Sequence, residues 1–141
     1  MLESRGGLRD LVVVDLYCGS GAMGIEALSR GAAKVYFVDS DPVCLAAAKD
    51  NLEPLHLPGE SLFVRSTLPL WSPPSDVDLI LADPPYGPMD LASVLSGARA
   101  ERVVVENDRH MEPPEGWRVT KTKRYGTTLV TMLEPDGGEE E

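Results

Sequence analysis

The segment from Val12 to Gly24 is the feature that most constrains the fold of this chain. It begins with three consecutive valines, which favour a strand covered on both faces, as in parallel sheets. Gly19 and Gly21 follow, and glycines allow a sharp turn and close approach of the backbone to a ligand. A helix predicted from Ala22 to Arg30 then directs its free N–H groups toward that ligand. The segment therefore predicts a binding loop between a buried strand and a helix.

The glycine spacing alone does not identify the ligand. Residues 19–24 fit G-x-G-x-x-G, the fingerprint of dinucleotide-binding turns. They also fit the nucleoside-binding loop of S-adenosylmethionine (SAM) methyltransferases, which has the form D-x-x-x-G-x-G. Asp15 occupies the acidic position of that pattern, before Gly19. Both cofactor classes stay open on this segment alone.

Strands and helices alternate along the rest of the chain. Further strands are predicted at residues 34–38, 61–65, 77–82 and 102–106, and helices at 43–52 and 91–98. Two last strands, 117–123 and 127–133, form an antiparallel pair. We expect an α/β, Rossmann-like fold with a mainly parallel twisted sheet, helices on both faces and a C-terminal antiparallel hairpin. Residues 1–134 form one predicted domain, and 135–141 an acidic tail expected to be disordered.

Composition excludes several functional classes. A net charge of −10 over 141 residues argues against a protein whose whole surface binds nucleic acid. Residues 118–124 nevertheless hold four basic and no acidic side chains, which fits a solvated surface strand or a local phosphate contact. No cysteine or histidine spacing suggests a metal site, and no signal peptide or membrane-spanning apolar run is present. We expect a cytoplasmic protein that uses no metal and contacts no membrane.

Aspartates end three of the predicted strands: Asp15, Asp39 and Asp83. Ligands of α/β sheets bind at the carboxyl ends of strands, so these residues predict one shared site. Asp39 lies 20 positions after Gly19, where a carboxylate can accept both ribose hydroxyls. It could instead cap the following helix, but Asp41 is better placed for that.

The tetrapeptide Asp83-Pro84-Pro85-Tyr86 discriminates between the cofactor classes. The Asp83 carboxylate can accept a hydrogen bond from an –NH₂ group, and the rigid Pro84 carbonyl can be a second acceptor. Tyr86 offers a ring on which a base can stack. Two acceptors draw both N–H bonds out of conjugation and direct the nitrogen lone pair at a methyl donor. Positioning and stabilisation of developing positive charge then supply much of the rate.

This tetrapeptide is similar to the D/N-P-P-F/Y/W signature of amino-methyltransferases. The chain resembles one family closely, the RsmD-like bacterial methyltransferases, which modify the N2 amine of a guanine in small-subunit rRNA. The resemblance extends from about Leu11 to Leu133. The segments that carry it are Asp15–Gly24, Glu26–Ala32, Phe37–Asp39, Ile80–Tyr86 and Arg124–Thr128.

The resemblance implies SAM as cofactor and small-subunit rRNA, within an assembled or assembling ribosomal subunit, as partner. The predicted catalytic residues are Asp83, Pro84, Pro85 and Tyr86. The predicted cofactor-binding residues are Asp15, Tyr17, Gly19, Ser20, Gly21, Asp39, Ser40 and Thr67. Two features depart from the family pattern. The basic N-terminal segment of family members is not represented, and Ser66-Thr67 replaces the Gly-Asp whose acid meets the adenine amine. Thr67 offers a weaker acceptor there.

Three alternatives remain. A DNA adenine-N6 methyltransferase shares the Asp-Pro-Pro-Tyr motif, but nothing here resembles a DNA target-recognition region. An NAD-dependent oxidoreductase shares the glycine loop, but the chain has no catalytic Tyr-x-x-x-Lys arrangement and the proline motif would have no role. A non-catalytic SAM-binding or rRNA-binding remnant would bind its ligand without turnover.

Overall fold

The structure, a computed structural model, describes residues 7–67, 73–83, 95, 99–108 and 110–136. The predictions for Pro84, Pro85 and Tyr86, for most of the helix at 91–98 and for the tail at 137–141 lie outside these residues. No helix within the described part of the chain combines the length and the apolar character needed to cross a lipid bilayer.

Within the described residues, seven strands form one sheet in the order β3-β2-β1-β4-β5-β7-β6. Strands β1 to β5 are mutually parallel, whereas β7 runs antiparallel to β5 and β6 antiparallel to β7. The strands are β1 (Val12–Leu16), β2 (Lys34–Asp39), β3 (Glu60–Arg65), β4 (Leu79–Ala82), β5 (Arg102–Asn107), β6 (Trp117–Tyr125) and β7 (Thr128–Pro135). The helices are α1 (Ala22–Ser29) and α2 (Pro42–Leu52), and a 3₁₀ turn (Glu53–Leu55) follows α2.

Three predicted strand boundaries were wrong by two residues. Strand β6 continues to Tyr125 rather than ending at residue 123. The fourth strand begins at Leu79 rather than at residue 77, because Asp78 lies in the turn before it and bonds to the start of β1. The Asp78 carboxylate accepts a hydrogen bond from the Val12 N–H at 2.8 Å, which ties this turn to the start of β1. Strand β7 extends to Pro135, where the disordered tail was expected to begin. Its end is held by pairing with Trp117 and by a bond from the Asp136 N–H to the Gly116 carbonyl.

The sheet has two covered faces. Helices α1 and α2 pack on one of them, which we call the helical face and which carries the side chains of Val13, Phe37, Leu81 and Val104. The alternate residues Val14, Ile80 and Val105 point to the second face, where Leu95 and Trp117 are buried. Burial on both faces explains why the central strands read as continuous apolar runs. It also fixes the strand register, because a shift of one residue would exchange the two faces.

Candidate active site

The loop between β1 and α1 has the backbone that its glycines predict. Gly19 and Gly21 have φ angles of 53° and 85°, and Tyr17 also lies in the left-handed region at 57°. A Cβ added at Gly21 would lie 2.8 Å from the Ala48 Cβ, so this glycine is needed for packing of the loop on α2. A Cβ added at Gly19 would meet no atom of the described residues within 4 Å. No described atom therefore fills the space beside Gly19.

The start of α1 is closely packed against the sheet. The Gly24 N–H donates to the Asp15 carboxylate at 2.9 Å. A Cβ at Gly24 would collide with the Phe37 ring. The Phe37 ring in turn stacks on Phe63, with centroids 5.0 Å apart. The last glycine of the G-x-G-x-x-G pattern thus permits close contact between helix and strand, as this position does in dinucleotide folds.

Asp15 lies near the end of β1, and only 1% of its surface is exposed to solvent. Its pKa is raised to about 7; burial is the largest cause, the Gly24 hydrogen bond opposes the rise, and the nearby charges of Asp83 and Asp39 add to it. Its carboxylate holds the first turn of α1 in place. The predicted contact between Asp15 and a cofactor stays a prediction.

Asp39 joins the two loops at the end of the sheet. One carboxylate oxygen accepts the Gly19 N–H and the other accepts the Asp41 N–H, each at 3.0 Å. The N-cap of α2 is Asp41, whose side chain accepts the Val43 N–H at 2.9 Å. The capping role that could have explained Asp39 is therefore filled by Asp41, as expected. The carboxylate of Asp39 is partly exposed beside the glycine loop.

The other predicted cofactor residues surround the same edge. Ser20 and Ser40 are exposed in the loops that follow β1 and β2. The Ser66 N–H donates to the Asp39 carbonyl at 3.0 Å, which brings the exposed Thr67 to the end of β2. The Ser20 carbonyl accepts a hydrogen bond from the Asn51 side chain at 3.1 Å. Sequence reasoning missed Asn51, because nothing in the sequence indicates that the end of α2 contacts the glycine loop.

Asp83 follows β4 directly and is exposed. Desolvation raises its pKa. Because Ala82 pairs with Val105, the next residues along the two strands, Asp83 and Glu106, are neighbours. Burial chiefly raises the pKa of Glu106, and the charges of Asp83 and Glu26 add to it. Sequence reasoning missed Glu106, although it ends a valine-rich strand much as Asp15 does.

Two further observations on the described residues concern metal binding and the reactivity of Cys18. No group of histidine, cysteine and acidic side chains among them is arranged to hold a metal ion. Burial, with the charges of Asp15 and Asp39, raises the pKa of Cys18 to about 12. The thiol of Cys18 therefore stays protonated near neutral pH and is a poor nucleophile.

Comparison with solved structures finds methyltransferases of the same fold. A methyltransferase of magnesium protoporphyrin IX from Synechocystis, solved with bound SAH, superposes with a TM-score of 0.75 at 15% identity, over 95% of this chain and 78% of that one. This likeness concerns the fold, and it confirms the predicted Rossmann-like class I methyltransferase architecture.

Two relatives resemble the chain in sequence. The ribosomal protein L11 methyltransferase of Cellvibrio japonicus is 44% identical over 88 residues, which span 62% of this chain and 29% of that protein. The ribosomal RNA small subunit methyltransferase D of Haemophilus influenzae is 31% identical over 136 residues, which span 86% of this chain and 70% of that protein. The chain thus spans less than a third of the first relative. The family described as Conserved hypothetical protein 95 matches residues 1–134. The chain therefore belongs to this family, the RsmD family that its motifs predicted.

Proposed function

We propose that this protein is a cytoplasmic, SAM-dependent RNA methyltransferase that modifies the exocyclic N2 amine of a guanine in small-subunit rRNA. The observation that carries the proposal is the meeting of three segments at one end of the sheet. The open side of Gly19, the carboxylate of Asp39 and the carboxylate of Asp83 all lie where β1, β2 and β4 end. The names of the rRNA methyltransferase relatives support the same reading.

The residues of this edge fit SAM. No described atom fills the space beside Gly19, which leaves room for a ligand at the loop after β1. Each carboxylate oxygen of Asp39 accepts one backbone N–H and keeps a lone pair for a ribose hydroxyl. Ser40 and Thr67 are exposed near the same position. When bound, SAM supplies an electrophilic methyl group and leaves as S-adenosylhomocysteine.

Asp83 is the residue that we assign to the target amine. Its carboxylate accepts one N–H of the amine and stabilises the positive charge that develops on nitrogen during transfer. The motif assigns a second acceptor to the Pro84 carbonyl and a stacking surface to Tyr86. No strong base is required, because the amine proton leaves after the nitrogen has been alkylated. The exposure of Asp83 provides a path for that proton to water.

The test is transfer of a labelled methyl group from SAM to unmodified small ribosomal subunits, with naked rRNA, tRNA and DNA alongside. The modified nucleoside is identified by mass. We expect N2-methylguanine in the ribosomal RNA. Asp83→Asn should greatly reduce transfer and leave SAM binding nearly intact, because Asn keeps the shape but not the charge. Methyladenine in DNA, or no product on any substrate, would overturn the proposal.

The substrate is expected to be a ribonucleoprotein. A protein with a net charge of −10 gains little from naked phosphates, so contacts with ribosomal proteins contribute to binding. Transfer to assembled subunits should therefore exceed transfer to naked rRNA at low salt. Activity on naked rRNA that equals or exceeds that on subunits would contradict this part of the proposal.

A further inference from the structure

A cavity of about 360 Å³ opens on the helical face, lined in part by Glu106, the neighbour of Asp83 across the β4–β5 pair. It lies between α1, β5 and the tip of the β6–β7 hairpin. Its apolar lining comes from Met23, Val104 and Val130, and its polar lining includes Glu26, Glu106 and Tyr125. An apolar hollow of this size with a few polar groups is typical of a ligand pocket. None of the described lining residues is one that we assign to SAM.

Glu106 is the acceptor that the cavity offers. Among the described residues, no hydrogen bond or ion pair engages its carboxylate. Glu26, the other acid of the lining, is held by Arg30 at 3.0 Å. Glu106 is also the neighbour of Asp83 across the β4–β5 pair. A planar ligand with two adjacent N–H donors could therefore reach both carboxylates.

A bulge in β6 directs basic side chains to the same face. Val119 pairs with Leu133, but Lys121 pairs with Met132, so one residue of β6 is inserted between them. Opposite residues of an antiparallel pair share a face, and an inserted residue exchanges the faces of the strand beyond it. Lys121 and Lys123 therefore lie on the helical face, opposite Met132 and Val130.

The same register separates two groups of basic residues. Tyr125 lies opposite Thr128 on the cavity side, and the Lys123 ammonium is 5.4 Å from the centre of its ring. Arg124 lies opposite Leu129 and points to the other face of the hairpin. Lys121 and Lys123 thus lie on the face of the hairpin that carries the cavity, whereas Arg124, one residue away, lies on the other face. This arrangement provides a matched control within the strand.

We infer that this cavity is the subsite for the target base, that Glu106 selects guanine, and that Lys121 and Lys123 hold the phosphates of the RNA strand that carries it. The inference rests on the proposed function and deepens it. Guanine presents its N1–H beside its N2 amine, so Glu106 accepts the N1–H while Asp83 accepts the amine. Adenine has a lone pair at N1, which the Glu106 carboxylate repels.

Binding of short RNAs tests the base preference without requiring catalysis. The probes are uridine heptamers in which the central nucleoside is guanosine, adenosine or N1-methylguanosine. Their binding to the protein is measured by fluorescence anisotropy in low salt, with S-adenosylhomocysteine present. The wild type should bind the guanosine heptamer at least about tenfold more tightly than the other two. Glu106→Gln can present a donor or an acceptor, so its preference for guanosine over adenosine should fall to about threefold or less.

The lysines are tested with the same heptamers. Lys121→Gln with Lys123→Gln should weaken binding of all three heptamers about equally and reduce the salt dependence of binding. Arg124→Gln should change binding by less than about twofold, since it lies on the other face. Circular dichroism and SAM affinity establish that each variant is folded and retains its cofactor site. An equal loss in Arg124→Gln would refute the phosphate assignment.

The two proposals fail in different ways. If the wild type transfers methyl groups to guanine but neither it nor Glu106→Gln distinguishes guanosine from N1-methylguanosine, the subsite is wrong and the function stands. If the wild type distinguishes the heptamers but methylates no substrate, the function is wrong and the subsite stands. Failure of the wild type to bind the guanosine heptamer overturns the subsite.

Discussion

Replacement of the buried carboxylate of Asp15 by an amide has a pH-dependent effect on stability that the structure allows us to work out. The pKa of this acid rises from 3.8 to about 7 in the folded protein, chiefly because the group is buried. An acid with a higher pKa in the folded than in the unfolded state binds more protons when folded. The free energy of unfolding therefore falls as the pH rises from about 4 to about 7. At about 1.4 kcal/mol per unit, the ionised carboxylate lowers stability by about 4 kcal/mol above pH 7.

Asp15→Asn removes this charge and keeps an oxygen that can accept the Gly24 N–H. The unfolding free energy of the variant minus that of the wild type should be about 3 kcal/mol larger at pH 8 than at pH 5. Urea unfolding followed by circular dichroism at the two pH values measures this difference. Because Asp83 and Glu106 remain in both proteins, the comparison removes their own burial and leaves the contribution of Asp15, including its interaction with their charges.

Asp41→Asn is the matched control for this experiment. The side chain of Asp41 is exposed and caps α2, a role that asparagine performs equally well. Its effect on stability should be nearly the same at both pH values. A difference for Asp15→Asn that is constant between pH 5 and pH 8, as for the control, would refute the assignment of a burial-raised pKa to Asp15.

Three further predictions concern the loop, the core and the cofactor. Gly19→Ala and Gly21→Ala both place a Cβ at a positive φ, which costs some stability at either position. Gly21→Ala should lower the urea midpoint more, because its Cβ also collides with α2, whereas Gly19→Ala should weaken SAM binding, because its Cβ enters the space that we assign to SAM. Trp117→Phe should cost about 1–3 kcal/mol in urea unfolding, since it removes the indole N–H that donates to the buried Leu95 carbonyl at 3.1 Å. Asp39→Ala should weaken SAM binding, measured by calorimetry, by at least about tenfold while the protein stays folded; unchanged affinity would remove Asp39 from the cofactor site.

Local sequence rules account for much of the fold. The strand–turn–helix at the start of the chain follows from consecutive β-branched residues and then glycines that can adopt positive φ angles. The N-cap of α2 follows from Asp41 before Pro42, a pairing whose effect is confined to one helical turn. The site edge was predictable because parallel strands that alternate with helices all end on the same side of the sheet.

Features that depend on the pairing of distant strands could not be predicted. The bulge at Thr120 exists only relative to β7, so the sequence of β6 alone cannot show that Lys121 faces the helices. The role of Glu106 depends on β5 lying beside β4, at a register that places it next to Asp83. The burial of Asp15 depends on strands on both sides and on α1 above it. Each of these needs the tertiary structure.

The accumulation of acids at this edge has a consequence for the proposed reaction. Asp15, Asp39, Asp83 and Glu106 lie at the carboxyl ends of four neighbouring strands. The charges of the other three acids raise the pKa of Asp15, and the charge of Asp83 raises the pKa of Glu106. Such mutual repulsion lowers stability, and it is partly relieved when a cation binds nearby. The sulfonium of SAM and the amine as it is alkylated are both positive. If the proposed function is correct, both should be favoured here over neutral analogues. S-adenosylhomocysteine, which lacks the positive charge, should gain less than SAM from a rise in pH from 6 to 8.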